Sequence, residues 1–444
     1  MLASAIRVLA SLYVALTGSS TQLNKDEYVV LHEVLAAGTS LDVISSVNLK
    51  GKVTEYKQDG KEANSTAIWA SGSSHYRERL LDVSQDLKVT GTARRYLSAS
   101  LDKQKANHKQ RVVLRPVADR IVFRRTGDQS TIFSPDGPLM APELDLLQAD
   151  AFTASFGELL STERVKVGDK WSAKPVAASE LTGVDPIQSG SLNCVLREVK
   201  SNDKGTFARV NLSGTLTGPT DQGPTQMTID GHLLFDLDTQ LITYVVMNGR
   251  SEILDSTGRI VGQLDGRYEL TRRPAIDDPR LSDSAMKELV LRPTPETTPL
   301  LFESNDLGVR LIYPRNWELT SVTKNVIQLD EPTGGSLRLT IDATPSPTAD
   351  KLRGELLTWL KGQKVTVGES GATEVVQLSD TRKADRFTVR ATLNKSDREW
   401  TYLVIRQKDR AATLAANFVA DRADRLQDDL VTMARRLEFL PKSP

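Results

Sequence analysis

The chain has 444 residues, in which 57 Lys plus Arg balance 57 Asp plus Glu and aromatics make up 5%. Zero net charge excludes general nucleic-acid binding, which draws on a cationic surplus against the phosphate backbone. The length exceeds one ordinary core and predicts two or three domains.

At the start, an apolar run over residues 8–16 stands behind a single Arg7 and is followed by Thr17, Gly18, Ser19 and Ser20. This is the pattern of a secretory signal peptide over residues 1–20, so an exported chain, periplasmic or extracellular, is expected. The run is too short to span a bilayer, and no transmembrane span is expected in the mature chain.

From residue 21 to 273, alternating segments separated by turn signals mark an antiparallel meander. Segments 47–56 and 63–70 flank Asp59-Gly60, which supplies the positive φ of a tight hairpin. Segments 111–124 and 130–133 flank Thr126-Gly127-Asp128 in the same way. Five long strands follow at 192–199, 206–216, 226–235, 241–253 and 260–270, with Asp236-Leu237-Asp238-Thr239-Gln240 as one of the turns between them. They predict a large twisted sheet. Two helices are expected to cover its apolar face: a charged one over 80–104, and one over 142–160 with Leu144, Leu147, Phe152, Phe156, Leu159 and Leu160 in a stripe. A curved sheet on such helices would enclose an apolar cavity. Cys194, the single cysteine, allows no intrachain disulfide and sits in an apolar strand-like run that predicts a buried, inert thiol.

Residues 274–300 hold Pro274, Pro279, Pro293, Pro295 and Pro299 and read as an interdomain linker interrupted by a short helix over 282–291. Beyond it, Val309, Leu311 and Tyr313 alternate with Arg310 and Ile312, and further strands are expected around 337–341, 387–393, 400–406 and 412–419. A helix beginning at Ser346 carries Leu352, Leu356, Trp359 and Leu360, and a closing helix carries Leu426, Leu430, Met433, Leu437 and Leu440. The fold class is thus α+β: a large antiparallel β-meander domain with a few covering helices, then a smaller α/β/α sandwich on an antiparallel sheet over 301–441.

Two resemblances accompany this reading. Val165 to Trp171 (Val-Lys-Val-Gly-Asp-Lys-Trp), Tyr76-Arg77-Glu78-Arg79 and Gly231-His232-Leu233-Leu234-Phe235-Asp236 resemble segments of a family of exported bacterial proteins of unknown function. Residues 308–317, Gly-Val-Arg-Leu-Ile-Tyr-Pro-Arg-Asn-Trp, with the element order behind them, resemble the PsbP-like α/β/α sandwich. That second resemblance implies a binding or scaffolding module more than an enzyme, by analogy of fold alone.

His32, His75, His108 and His232 lie singly, without the close spacing of zinc ligands, and neither a nucleophile elbow nor a phosphate-binding loop is present. No catalytic residue, metal site or cofactor is therefore expected. Arg111, Arg115, Arg120, Arg124 and Arg125 form the densest basic cluster, a possible anion-binding surface for a lipid headgroup or acidic polysaccharide, against the simpler reading of a solvated face with acidic neighbours. The expected function is an exported, non-enzymatic protein binding an apolar or anionic envelope ligand or another envelope protein. Two alternatives stand beside it: a hydrolase assembled from distant loops with His75, Glu78 and His232, and a structural part of an envelope assembly.

Overall fold

The computed structural model describes residues 21–22, 26–56, 62–84, 88–127, 129–203, 205–343, 347–363, 365–393, 395–407 and 410–441. The expected leader and the Asp59-Gly60 turn lie outside them. The chain divides into two compact units, one of residues 1–137 with 142–293, the other of 138–141 with 294–444.

In the first unit the strands run β1 (Thr21–Gln22), β2 (Ser40–Tyr56), β3 (Glu62–Val83), β4 (Val89–Lys105), β5 (His108–Val113), β6 (Arg120–Thr126) and β7 (Gln129–Phe133). After β8 (Leu139–Met140), which belongs to the second unit, come β9 (Lys170–Ser172), β10 (Ser189–Asn202), β11 (Gly205–Thr220), β12 (Gly223–Asp236), β13 (Leu241–Leu254) and β14 (Ile260–Pro274). Among the described residues they form one sheet, in the order β1-β10-β11-β12-β13-β14-β2-β3-β4-β6-β7, with β5 on β4 and β9 on β10, and every pair is antiparallel.

One face of this sheet is apolar by strict alternation. Leu192, Cys194 and Leu196 on β10, Val210 and Leu212 on β11, and Leu233 and Phe235 on β12 are buried, and the residues between them are not. Glycines interrupt the same face at Gly51, Gly214 and Gly231. A Cβ there would lie 1.9, 2.1 and 2.2 Å from a backbone oxygen of the neighbouring strand, so only glycine permits the tight coiling of the sheet.

One end of the inner face is covered by residues 142–184. The predicted helix over 142–160 is broken into a helix at Ala141–Gln148 and a 3-10 turn at Thr153–Leu159, although its stripe residues are all buried. The break has a cause: the carbonyls of Ala151 and Thr153 accept hydrogen bonds from the side chains of Arg94 and Arg272. A third helix, Pro175–Thr182, begins with proline and ends on Gly183 at φ 69°.

Two expectations are corrected here. The charged helix over 80–104 does not form; β3 and β4 occupy that stretch, because Glu78 and Arg94 point inward as a cross-strand pair. The single strand over 111–124 is two, since the Pro116–Ala118 turn lets the chain leave one end of β4 as β5 and return to the other as β6. Within the proline-rich stretch the short helix is Asp283–Met286, and Leu281 and Met286 are buried against Ala93, so this part packs on the first unit.

The second unit comprises β8, β15 (Leu300–Ser304), β16 (Val309–Tyr313), β17 (Glu318–Val322), β18 (Val326–Glu331), β19 (Gly335–Ala343), β20 (Thr366–Ser370), β21 (Glu374–Gln377), β22 (Lys383–Leu393), β23 (Ser396–Gln407), β24 (Arg410–Val419) and β25 (Glu438–Phe439). The main sheet runs β17-β18-β19-β24-β23-β22-β20, with β21 on β22, and a small sheet runs β25-β16-β15-β8, where β8 pairs parallel to β15. The Ala349–Gly362 helix, capped by the Thr348 hydroxyl, packs Leu356 and Leu360 on Phe387, Val389, Trp400 and Val404. The Ala423–Arg436 helix covers the opposite face, where Trp317 lies edge-on to Phe418 at 6.5 Å and donates to Asp429 at 2.9 Å. The unit is therefore layered helix, sheet, helix. Val309, Leu311, Tyr313 and Trp317 are all buried, whereas Trp359, expected in the apolar stripe, is exposed.

Candidate functional site

The covering segment closes only one end of the first unit's inner face. Beyond it, Val47, Leu49, Met227, Ile229, Met247 and Leu264 line a trough of ≈ 380 Å³, partly open to solvent. Glycines widen it: Gly249 and Gly266 face each other on β13 and β14 where two side chains would otherwise fill the space. Gln148, Glu180 and Thr182 from the covering segment and Asp221 and Gln222 from the β11–β12 turn form a polar rim. A volume in the roughly 300–1,000 Å³ range with an apolar lining and few polar groups is the usual constitution of a small-molecule site.

Under the covering segment lies a buried charged layer that holds it in place. Arg94 and Glu78 pair at 2.8 Å with both side chains fully buried, and Thr153 donates to the other Glu78 oxygen at 3.0 Å. The Arg94 guanidinium also stacks 3.9 Å from the Phe123 ring centre and 4.5 Å from that of Tyr76. Asp150 accepts from Ser45 at 2.6 Å and from Tyr96 at 3.1 Å. Arg272 pairs with Glu33, whose Oε1 also accepts from the Ile242 amide at 2.8 Å. Burial pushes the Glu33 carboxyl above its usual range, outweighing the Arg272 charge. The Tyr268 ring forms part of the trough wall; its hydroxyl is buried without a hydrogen-bond partner among the described residues, and burial raises its pKa far above normal.

Each arginine of the sequence-predicted cluster meets a carboxylate of the chain itself. Arg111 lies 3.6 Å from Asp102, Arg115 grips Glu143 at 2.7 and 2.8 Å, Arg120 bonds Asp136 at 2.8 Å, Arg124 pairs with Asp82, and Arg125 with Glu180. Their charge is matched internally. The hydrolase set is not brought together: Glu78 faces the inner side of β3, whereas His75 lies on the outer side, bonded to Asp42 at 2.9 Å, and His232 is on the outer side of β12 against Tyr244. Burial and then Arg209 and Arg267 lower the His232 pKa. Cys194 is buried, bonded to the Leu159 carbonyl at 3.4 Å, and burial pushes its pKa up to about 12. Among the described residues no three His, Cys, Asp or Glu side chains converge as a metal site, and no helix is long and apolar enough to cross a membrane.

Asp42 gives the first unit a pH signature. Burial raises its pKa, but His75 and Arg273 hydrogen bonds with the His75 and Arg77 charges overcome this and leave it lowered. A depressed carboxylate contributes stability that is full above its ordinary value of 3.8 and is lost as pH falls through the lowered one. Asp42→Asn is therefore expected to flatten the acid limb of a stability curve measured by urea unfolding; a limb parallel to the parent's would contradict this.

No protein-family model matches this chain, and no curated protein matches it. Among solved structures, it is similar over 32% of its length to the cyanobacterial PsbP of Synechocystis sp. PCC 6803, at 15% identity and a TM-score of 0.26, covering 92% of that chain. The Ran-binding protein Mog1p of Saccharomyces cerevisiae is matched over 32% of this chain and 96% of its own, at 12% identity and a TM-score of 0.24. OprB of Pseudomonas putida is matched over 86% of this chain and 92% of its own, at 6% identity and a TM-score of 0.13. At these scores the likenesses assign neither family nor activity.

Proposed function

We propose that the chain is an exported, non-catalytic carrier whose first unit holds an apolar ligand in the half-covered trough and whose second unit is a PsbP-like docking module. The observation that carries this reading is the trough itself: six apolar side chains on the uncovered end of a sheet whose other end is closed. The leader-like residues 1–20 support export, and the 308–317 motif with the helix–sheet–helix layering supports the second part.

Met227 and Leu264 are half-buried trough residues, so a long cationic side chain there can reach solvent without unfolding the sheet. Met227→Arg and Leu264→Arg are expected to weaken binding of a fluorescent naphthylamine probe, and of alkyl ligands that compete with it, by about tenfold, or ~1.4 kcal/mol. Probe binding equal to the parent's in both folded variants, or none in the parent, would sink the carrier reading.

A further inference from the structure

The outer face of the same sheet carries a second groove, of ≈ 590 Å³, running across the strands. Its floor is the backbone of Leu49, Gly266, Gly249 and Ile229, which stand in register on β2, β14, β13 and β12. One wall is the cross-strand row Trp69, Lys50, Asp265, Arg250; the other is the row Asn48, Arg267, Asn248, Asp230. All eight are exposed, and Trp69 leaves 44% of its surface open at one end of the groove.

We infer that this groove binds a neutral oligosaccharide, with one ring stacked on Trp69 and the following rings crossing β2, β14, β13 and β12. Three observations select this chemistry. The strands are interior, each paired on both sides, so a peptide has no free edge on which to add as a strand. The cations of the walls are matched: Lys50, Arg250 and Arg267 face Asp230 and Asp265, and beside the walls Glu252 lies 3.6 Å from Arg250 and Glu269 3.3 Å from Arg267, which disfavours a phosphate or polyanion. Donors and acceptors instead alternate along both walls, with the amides of Asn48 and Asn248 able to serve as either, matching a ligand whose hydroxyls do the same. The flat indole meets the C–H face of a pyranose, and adjacent strands lie about 4.8 Å apart, close to one sugar repeat.

Isothermal titration calorimetry of the full chain against neutral cello-, xylo-, malto- and chito-oligosaccharides tests the inference. At least one series should bind, with Trp69→Ala lowering its affinity about tenfold and Trp69→Phe keeping part of it. Thermal melting of Trp69→Ala should match the parent, since the side chain is exposed. Absence of binding across the panel, equal binding by Trp69→Ala and the parent, or preference for a sulfated polymer over every neutral sugar overturns it.

Discussion

Glu78→Ala is expected to destabilise the first unit by about 3–5 kcal/mol, because it strands the fully buried Arg94 without its counter-charge. The cost of ionising a group in a low-dielectric interior is offset here by the 2.8 Å pair, the Ala151 carbonyl, the Tyr96 hydroxyl and the two ring faces. Removing both charges is a different experiment. Glu78→Leu with Arg94→Met leaves no unpaired ion of this pair, and this double variant is expected to recover most of the loss. Urea unfolding followed by circular dichroism checks both, and a single-variant loss below about 1 kcal/mol would mean the pair is structurally idle.

Trp317→Ala is expected to cost the second unit about 3–5 kcal/mol, the range for deleting a large buried aromatic. Its ring is 1% exposed, packs edge-on to Phe418, and holds Asp429 of the Ala423–Arg436 helix through its N–H. Trp317→Phe keeps a ring against Phe418 and loses that bond, so it should fall between parent and Ala. Equal stability of the Phe and Ala variants in urea unfolding would show that the ring adds nothing.

How much of this was legible in the sequence differs by region. The strands β10 to β14 follow from alternation and from turns such as Asp236 to Gln240, where Asp236 accepts from the amides of Asp238 and Thr239 and Gln240 takes φ 52°. The β3 and β4 stretch misleads because its charges suggest a solvated helix; the inward placement of Glu78 and Arg94 rests on their mutual pair and on Thr153 and the Ala151 carbonyl, far along the chain. The same is true of Arg272 and Glu33. Their one local signal is a charge at a position that the alternation assigns to the apolar face, as in Tyr76, Glu78, Leu80. The trough was foreseen only as a cavity between sheet and helices. Its location depends on Gly249 and Gly266, whose regular placement inside strands was the available sign of a bend or an opening.

The strand order bears on how the molecule is made. β2 pairs with β14, Leu41 opposite Pro274, although it is the first long strand to leave the ribosome. A nascent chain can join β2 to β3 and β4 at once, but the other edge of β2 waits until nearly all of the first unit has been synthesised. Over that interval a long row of amide and carbonyl groups stays open to any other strand. Folding that begins only once the whole first unit is available never presents that edge half-built, so the strand order makes the closure of β2 on β14 a late step whichever way the chain emerges.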